Sequence, residues 1–273
     1  MSTPEARRPL LFVALVFLFS APLYALGDRQ ILPKSFHLYA PAFVFASAIP
    51  VTLANLFLYR EQGWAGVRDL WRNVFDFKRI RDRRWYVPIL LLMPSILTAS
   101  YVLTLLFGKP IPDPRFAVLA APLLFVAFFI FAIGEEAGWS GYVIGGLQAR
   151  WSALTSSLIL GLVWAAWHLI PFIQAHHASA GWVVWQCAGT VALRVLMVWI
   201  FNNTGRSVFA MVLFHAMINE SEFMYPNLGS YYDPLIPFVF LAVIAALVVI
   251  FWGGTTLAQF RFSPPGPPTH DQP

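Results

Sequence analysis

The sequence has 273 residues, of which 59% are hydrophobic and only 11% are charged. A soluble globular domain carries about 25% charged residues, so this composition excludes an ordinary soluble protein and predicts an all-α integral membrane protein. The single cysteine, Cys187, excludes an intramolecular disulfide and a thiolate-rich metal cluster. The net charge of +5 does not indicate nucleic-acid binding, because membrane proteins collect Lys and Arg on their inner loops.

Eight stretches are long and apolar enough to be membrane-spanning helices, each of which needs about 20 mostly apolar residues. They cover residues 10–26, 36–59, 87–107, 116–138, 153–173, 181–200, 206–225 and 234–252. We predict that residues 1–262 form a single membrane domain with a polar cavity formed by spans four to seven. The proline-rich segment 263–273 is predicted to be a disordered tail.

The distribution of Lys and Arg predicts the orientation of the spans. If the N-terminus is cytoplasmic, 13 of the 18 Lys and Arg residues lie on the inner side and 4 lie in outer loops. Positive residues accumulate on cytoplasmic loops, so both termini are expected in the cytoplasm and the protein in the inner (plasma) membrane. The first stretch follows Arg7 and Arg8 as in a signal peptide. It is long for one, however, and no clear cleavage site follows it, which favours a retained helix.

The segment 60–86 between the second and third spans is rich in arginine but has an apolar periodicity. Its apolar residues recur at the i, i+3, i+4, i+7 and i+8 positions of one helix face, namely Val67, Leu70, Trp71, Val74 and Phe75. This pattern predicts an amphipathic helix lying on the inner leaflet. The alternative is a solvated basic loop.

Ionisable and polar residues occur at four places inside the predicted spans, where charges are costly. They are the pair Glu135–Glu136 in "IFAIGEEAGWSGY", His168 in "GLVWAAWHLIPF", Arg194 in "CAGTVALRVLMVW", and the group His215, Asn219, Glu220 and Glu222 in "LFHAMINESEF". Each has a simple structural explanation when taken alone, such as a buried histidine bonded to a backbone carbonyl. Their combination in one bundle indicates a functional centre.

Helical spacing predicts which of these residues meet. Glu135 and His168 are equidistant from the polar break at Trp151 and Ser152. In an antiparallel helix hairpin such residues lie at the same depth, about 25 Å of helix from the turn. His215 and Asn219 are four residues apart and share one helix face.

This set of residues is suited to hydrolysis of an amide bond. A glutamate or histidine can take a proton from the attacking water, and His215 with Asn219 can donate hydrogen bonds to the developing oxyanion. Alternatively, Glu135, His168 and His215 are candidate ligands of a zinc or other divalent ion that would lower the pKa of bound water. The HExxH spacing of zincins is absent from the sequence. A proton-coupled transporter is a further alternative, but the internal repeat typical of transporters is not found.

Three segments resemble the motifs of the CPBP family of intramembrane proteases, which includes the CAAX prenyl endopeptidases and the Abi-type immunity proteins. They are "EEAGWSGY", "WAAWHLIPF" and "LFHAMINES", within about residues 120–225. The resemblance implies an endopeptidase in which Glu135 activates water with help from His168, Glu136 supports the first motif, and His215 with Asn219 holds the oxyanion. It implies a peptide or protein substrate, with or without a lipid group, in contact with membrane lipid. Family members are often described as metalloproteases, but the same groups can act without a metal.

The sequence departs from the family pattern at one position, because Ser140 stands where the first motif has an arginine. Trp164 still fits the aromatic position of the second motif, which is commonly Phe. The loss of the cation raises a rival hypothesis, a non-catalytic relative that acts as an immunity or secretion partner. Arg194 can replace the missing cation, but the favoured interpretation is that its side chain reaches out to the lipid headgroups.

Overall fold

A computed structural model describes residues 7–27, 42–109, 111–176, 179–258 and 260. Within these ranges the chain is almost entirely helical and contains no β-strand, which confirms the all-α prediction. The helices are α1 (Pro9–Leu26), α2 (Ala48–Phe75), α3 (Tyr86–Leu106), α4 (Ala121–Gly138), α5 (Ile144–Gln148), α6 (Ala153–His176), α7 (Ala180–Asn203), α8 (Val208–Met224) and α9 (Leu235–Trp252). The predicted tail 263–273 and residues 36–41 of the second predicted span lie outside the described residues.

Among the described residues, six helical stretches are long and apolar enough to cross a membrane. They are Pro9–Leu26, Arg83–Leu106, Ala121–Gln148, Ala153–Gln174, Ala180–Asn203 and Leu235–Trp252. The second and seventh predicted spans correspond to α2 and α8. Helix α2 continues from an apolar first half into the charged segment, and α8 has only 17 residues, including two glutamates. The protein is therefore an integral membrane protein, while the count of eight spans and the orientation stay predictions.

The arginine-rich segment after the second span begins as a helical segment of its own. Within α2 the helix is broken at Gly63, whose φ of 64° and ψ of −158° are not helical and favour glycine, so that residues 48–62 and 64–75 are two helical segments joined at a kink. Beyond it, Leu70 and Val74 are buried while Phe75 is exposed, so the predicted amphipathic periodicity describes the second half of α2. Its position on a leaflet stays a prediction. Residues 77–79 and 83–85 form short 3₁₀ turns instead of helix.

Close packing between α2 and α4 depends on two glycines that flank the glutamate pair. A Cβ atom added to Gly134 would lie 2.5 Å from the carbonyl oxygen of Ser47, and one added to Gly138 would lie 2.5 Å from Cβ of Pro50. The absence of side chains at these positions lets the start of α2 lie directly against α4. The backbone that carries Glu135 and Glu136 is thereby fixed against a neighbouring helix.

A π-helical turn, Trp139–Val143, joins α4 to α5 directly after the glutamate pair. A π-helical turn loosens the regular hydrogen-bond ladder, and such turns are frequent at functional sites. The guanidinium of Arg7 donates to the carbonyl oxygens of Gly141 (3.0 Å) and Tyr142 (2.8 Å). The hydroxyl of Tyr142 donates to Glu61 on α2 at 2.6 Å. Arg7, which precedes α1, and Glu61 of α2 thus stabilise the π-helical turn.

Candidate active site

The polar residues predicted within the spans meet at a junction of α4, α6, α7 and α8. Glu136 on α4 is fully buried, and Arg194 on α7 and His215 on α8 are 1% and 3% exposed. Atoms Nη1 and Nη2 of Arg194 lie 3.1 Å from Oε2 and Oε1 of Glu136, respectively. Nδ1 of His215 lies 3.1 Å from Oε1 of the same carboxylate. Helices α4, α7 and α8 are therefore joined through one carboxylate.

The hydrogen-bonding capacity of Glu136 is fully used. Besides Arg194 and His215, the hydroxyl of Ser140 donates to Oε2 of Glu136 from one turn further along the same helical segment. An ionised carboxylate offers about four acceptor positions, and four hydrogen bonds reach Glu136. It is consequently an anchor for the surrounding helices, with no acceptor position left for a substrate or a water molecule.

The expectation that Arg194 reaches the headgroups is wrong. Its guanidinium is buried, binds Glu136 through two parallel hydrogen bonds, and lies 4.2 Å from the ring centroid of Trp164. Bidentate pairing with a carboxylate and stacking on an aromatic face both favour arginine over lysine. Close packing of α6 on α7 supports this position, because Gly161 faces Cα of Val191 and Cβ of Arg194. Arg194 supplies the cation that the first motif lacks at Ser140.

Glu135 has a different environment from its neighbour. Its Oε2 accepts a hydrogen bond of 3.0 Å from Nε1 of Trp164 and lies 3.9 Å from Nε2 of His168. The predicted equal depth of Glu135 and His168 is therefore confirmed. The residue is 7% exposed, and Oε1 has no hydrogen-bond partner within the described part of the chain. Of the two adjacent carboxylates, Glu135 is the one that can still accept a proton or a hydrogen bond.

The imidazole of His168 is held in a defined orientation. Its Nδ1 lies 3.0 Å from the carbonyl oxygen of Trp164, one turn earlier in α6. A carbonyl can only accept, so Nδ1 carries the proton and Nε2 presents a lone pair towards Glu135. The ring contacts Trp167 edge-on at 4.7 Å between centroids and stacks on Phe172 at 5.4 Å. These aromatic rings restrict its rotation.

Asn219 is half-buried and lies one turn beyond His215 on α8, as predicted. Its side chain makes no hydrogen bond to another residue in the described ranges, so its amide is free to donate. His215 has Nδ1 committed to Glu136, which leaves Nε2 available. The oxyanion role expected for this pair stays a prediction.

The described residues do not fit the zinc site that the sequence allowed. No group of three or more His, Cys, Asp or Glu side chains in the described ranges is arranged to hold a metal ion. Of the three candidate ligands, Glu135 and His168 face each other, while His215 is bonded to Glu136. Glu135, His168 and His215 therefore do not form a ligand set in this structure.

Two contacts of the site were not foreseen from the sequence. The indole of Trp164 donates to Glu135, where only an aromatic ring was expected. Ser140 donates to Glu136, where only the loss of a cation was noted. The four-residue spacing of Glu136 and Ser140 on one helical segment is a signal that could have predicted the second contact. The first depends on the packing of α4 against α6 and has no local signal.

The fold and the site together define an all-helical membrane protein with a buried centre of carboxylates and imidazoles. Residues 117–220 match the family described as "Type II CAAX prenyl endopeptidase Rce1-like". The chain is also similar to a protein of Methanococcus maripaludis named "CAAX prenyl protease 2", with 24% identity over 188 residues, which cover 63% of this chain and 68% of that protein. The matched residues include every member of the candidate site.

Both comparisons support the resemblance to CAAX-type prenyl endopeptidases that the three motifs predicted. They support a membrane endopeptidase of this type, for which a protein or peptide would be the substrate. The metalloprotease and Abi designations stay predictions.

Proposed function

We propose that the protein hydrolyses a peptide bond of a membrane-associated, lipidated protein, with the attacking water activated by Glu135 and His168. The observation that carries the proposal is the separation of 3.9 Å between Oε2 of Glu135 and Nε2 of His168. Both atoms are acceptors, and the distance is too long for a hydrogen bond between them. One water molecule can donate to both and so be held as the nucleophile.

The proposed reaction is a general-base hydrolysis. The water oxygen forms a bond to the carbonyl carbon of the substrate while its proton passes to Glu135. When the carbon–nitrogen bond breaks, the leaving amine takes a proton from Glu135, directly or through His168. The products are a carboxylic acid and an amine, and both residues return to their starting state.

His215 and Asn219 are the proposed donors to the oxyanion. Nδ1 of His215 donates to the Glu136 carboxylate, so Nε2 can donate to an oxyanion when His215 is an imidazolium, a form that this carboxylate stabilises. Nε2 of His215 and the amide of Asn219 are on one face of α8 and are not used within the described structure. Donors fixed before the reaction stabilise negative charge as it develops on the carbonyl oxygen. This assignment follows the family resemblance and agrees with the positions of the two side chains.

The Arg194–Glu136 pair supports catalysis over the rival hypothesis of a non-catalytic relative. That hypothesis depended on Ser140, because an arginine was missing from the first motif. The buried bidentate pair supplies a cation to the same carboxylate from another helix. Since Glu136 is neutralised in this way, Glu135 is the carboxylate left for chemistry.

The proposed substrate is a protein ending in a prenylated Cys-aliphatic-aliphatic-X sequence, by analogy with the names of the family and of the similar protein. One experiment tests both the proposed peptidase activity and the proposed roles of Glu135 and His168. Purified protein in detergent is supplied with a fluorogenic peptide that ends in a farnesylated sequence of this kind. Glu135→Gln and His168→Ala are each expected to lower turnover by about 10²–10⁴-fold, the usual contribution of a general base.

Glu220→Gln serves as the matched control, because Glu220 is a buried glutamate on α8 that faces Tyr101 and Met224 instead of the site. It is expected to leave turnover within a few-fold of wild type. Cleavage by Glu135→Gln at the wild-type rate would disprove the assignment of the base. No cleavage by the wild-type protein would disprove the proposed substrate.

A further inference from the structure

A cluster of basic residues lies where the chain turns between α2 and α3. Residues 78–84 contain five Lys and Arg side chains and one acid, and all five cations are exposed. The segment leads directly into the apolar helical stretch Arg83–Leu106, so it lies near the lipid headgroups when that stretch spans the membrane. Lys and Arg are common on cytoplasmic loops, so their number alone identifies no ligand.

Two of these arginines line a cavity of about 460 Å³, which the turn between α7 and α8 completes. Arg79 and Arg81 lie on one side of it and residues 203–205 on the other. The two turns are in contact, because Nη1 of Arg79 lies 3.5 Å from the carbonyl oxygen of Gly205. Gly205 has a φ of 65°, and a Cβ atom added there would lie 3.3 Å from Cγ of Arg79. The two cations therefore belong to a formed cavity and not to an open loop.

The charges around this cavity are not balanced by acids of the chain. Asp82, the one acid in its described lining, accepts hydrogen bonds of 2.9–3.1 Å from the side chain of Arg84, which neutralises it. Arg79 has only Asp76 at 3.7 Å, a distance typical of a weak surface pair. The guanidinium of Arg81 has no ion pair or hydrogen bond within the described ranges. The cavity is thus suited to an anion, and guanidinium groups favour phosphate.

A second cavity, of about 500 Å³, adjoins the first and is mainly aromatic. The two cavities share Asp82, and Trp199 of the second lies one turn before Asn203 of the first, whose side chain donates to its carbonyl oxygen at 2.8 Å. The rings of Trp85 and Trp252 pack edge-on against Trp199, with centroids 4.8 and 5.2 Å away. Tryptophan is enriched at membrane–water interfaces. This wall is suited to the glycerol and upper acyl chain of a lipid.

We propose that the two cavities together bind an anionic phospholipid. Its phosphate lies between Arg79 and Arg81, and its glycerol and upper acyl chains lie against the three tryptophans. A free phosphate would fill only the first cavity, and an uncharged lipid would use only the second. Basic pockets between membrane helices on the cytoplasmic side are typical sites for anionic headgroups, and the predicted orientation places this end of the bundle in the cytoplasm. The lining residues are separate from the candidate active site, so the proposal does not depend on the peptidase reaction.

Lipid titrations of the purified protein in a neutral detergent test the proposal without any measurement of turnover. Native mass spectrometry gives the Kd of the first bound lipid for dioleoyl phosphatidylglycerol and for dioleoyl phosphatidylcholine, which have the same acyl chains. Wild type is expected to bind phosphatidylglycerol about tenfold more tightly. Arg79→Gln/Arg81→Gln is expected to weaken phosphatidylglycerol binding by about five- to thirtyfold, or about fivefold for each basic residue near an anionic headgroup, and to leave phosphatidylcholine binding unchanged.

Two further double variants change the net charge by the same amount at other places. Arg60→Gln/Arg68→Gln removes two exposed cations of α2 outside the cavity, and Lys109→Gln/Arg115→Gln removes two beyond the opposite end of α3. Both are expected to bind phosphatidylglycerol within about twofold of wild type, because salt screens exposed charges beyond about 8 Å. An equal loss in Arg60→Gln/Arg68→Gln would show attraction by the general surface charge and would overturn the proposed site.

The conservative variant Arg79→Lys/Arg81→Lys keeps both charges and is expected to retain most of the affinity for phosphatidylglycerol. This variant distinguishes a lost charge from a lost fold. Trp252→Leu removes one wall of the aromatic cavity and is expected to weaken both lipids several-fold and by the same factor. Equal affinity of wild type for the two lipids, no loss in Arg79→Gln/Arg81→Gln, or no effect of Trp252→Leu would each contradict the proposal.

Competition distinguishes the lipid from other anions. Neither millimolar inorganic phosphate nor the farnesylated peptide is expected to displace bound phosphatidylglycerol. Displacement by inorganic phosphate would assign the two arginines to a free phosphate. Displacement by the peptide with a free C-terminal carboxylate, but not by its amide, would assign them to the substrate terminus. Either result would overturn the lipid site.

Discussion

Arg194 on α7 binds both carboxylate oxygens of Glu136 on α4, with each nitrogen–oxygen distance 3.1 Å and both side chains buried. The pair joins two helices that are 58 residues apart in sequence. It places the compensating charge of the site on α7, although the family motif has its arginine one turn after the glutamates. In this chain Glu136 therefore has its cation from another helix, while position 140 of the motif is a serine.

This relationship predicts a rescue experiment. Arg194→Met leaves Glu136 buried without its cation, and breaking a buried ion pair in this way costs about 3–5 kcal/mol. We expect a large drop in the unfolding temperature and loss of peptidase turnover. Adding Ser140→Arg restores the cation from the motif position, and the double variant should recover part of both.

The unfolding temperature in detergent and turnover of the fluorogenic peptide measure the two effects. Ser140→Ala is the control, because it removes one hydroxyl donor and leaves Arg194 in place. If Arg194→Met is as stable and active as wild type, the Arg194–Glu136 pair contributes to neither stability nor turnover. If adding Ser140→Arg to Arg194→Met restores neither property, an arginine at position 140 cannot replace Arg194.

Substitutions of the two adjacent glutamates are predicted to have different effects on stability and turnover. Glu136→Gln breaks a network of four hydrogen bonds and should lower the free energy of unfolding by several kcal/mol, of the order of a broken buried pair. Glu135→Gln removes a carboxylate that has one hydrogen bond from Trp164, so it should lower turnover by about 10²–10⁴-fold with little loss of stability. Thermal unfolding followed by tryptophan fluorescence, in parallel with turnover, separates the two effects. Equal destabilisation by both substitutions would contradict this division.

The sequence predicted much of this site because the relevant patterns are local. The hairpin symmetry about Trp151–Ser152 placed Glu135 beside His168, and the four-residue spacing placed Asn219 one turn from His215. It did not predict the partner of Arg194, since an isolated arginine in a span can either pair in the interior or reach the headgroups. Only the packing of α7 against α4 decides between these outcomes.

Helix α2 shows what local patterns can locate. Hydropathy and apolar periodicity predicted a span followed by a separate amphipathic helix, and the helix is indeed broken between them at Gly63, whose φ of 64° and ψ of −158° are not helical. An apolar pattern does not report backbone angles, so it did not identify the residue at which the break occurs. In contrast, the long apolar helices α1, α3, α7 and α9 were predicted closely, because composition alone defines them.

Gly134 is predicted to be essential for packing. In Gly134→Ala the new Cβ would lie 2.5 Å from the Ser47 carbonyl oxygen, so α2 and α4 must separate. Overpacking of this kind costs about 1–3 kcal/mol, which corresponds to roughly 2–4 °C per kcal/mol for a protein of this size. Gly181→Ala, where the nearest neighbouring atom is 4.0 Å away, is the matched control. Equal unfolding temperatures for the two variants would show that the contact is not required.

Removal of divalent metals is expected to leave the enzyme active. The described side chains include no set of three metal-binding groups, and Glu136 is occupied by Arg194, Ser140 and His215. Turnover after treatment with EDTA or 1,10-phenanthroline should stay within twofold of the untreated protein. Loss of turnover that zinc restores would instead require Glu135, His168 and His215 to rearrange around an ion.

The position of the catalytic water tests the central claim most directly. A high-resolution experimental structure of the Glu135→Gln variant with bound peptide and of the wild-type protein would locate the solvent in the site. We expect one ordered water in wild type within about 3.2 Å of both a Glu135 oxygen and Nε2 of His168, and the scissile carbonyl of the peptide adjacent to that position in the variant. A water bound to Glu136 instead, or a peptide carbonyl remote from both residues, would contradict the account.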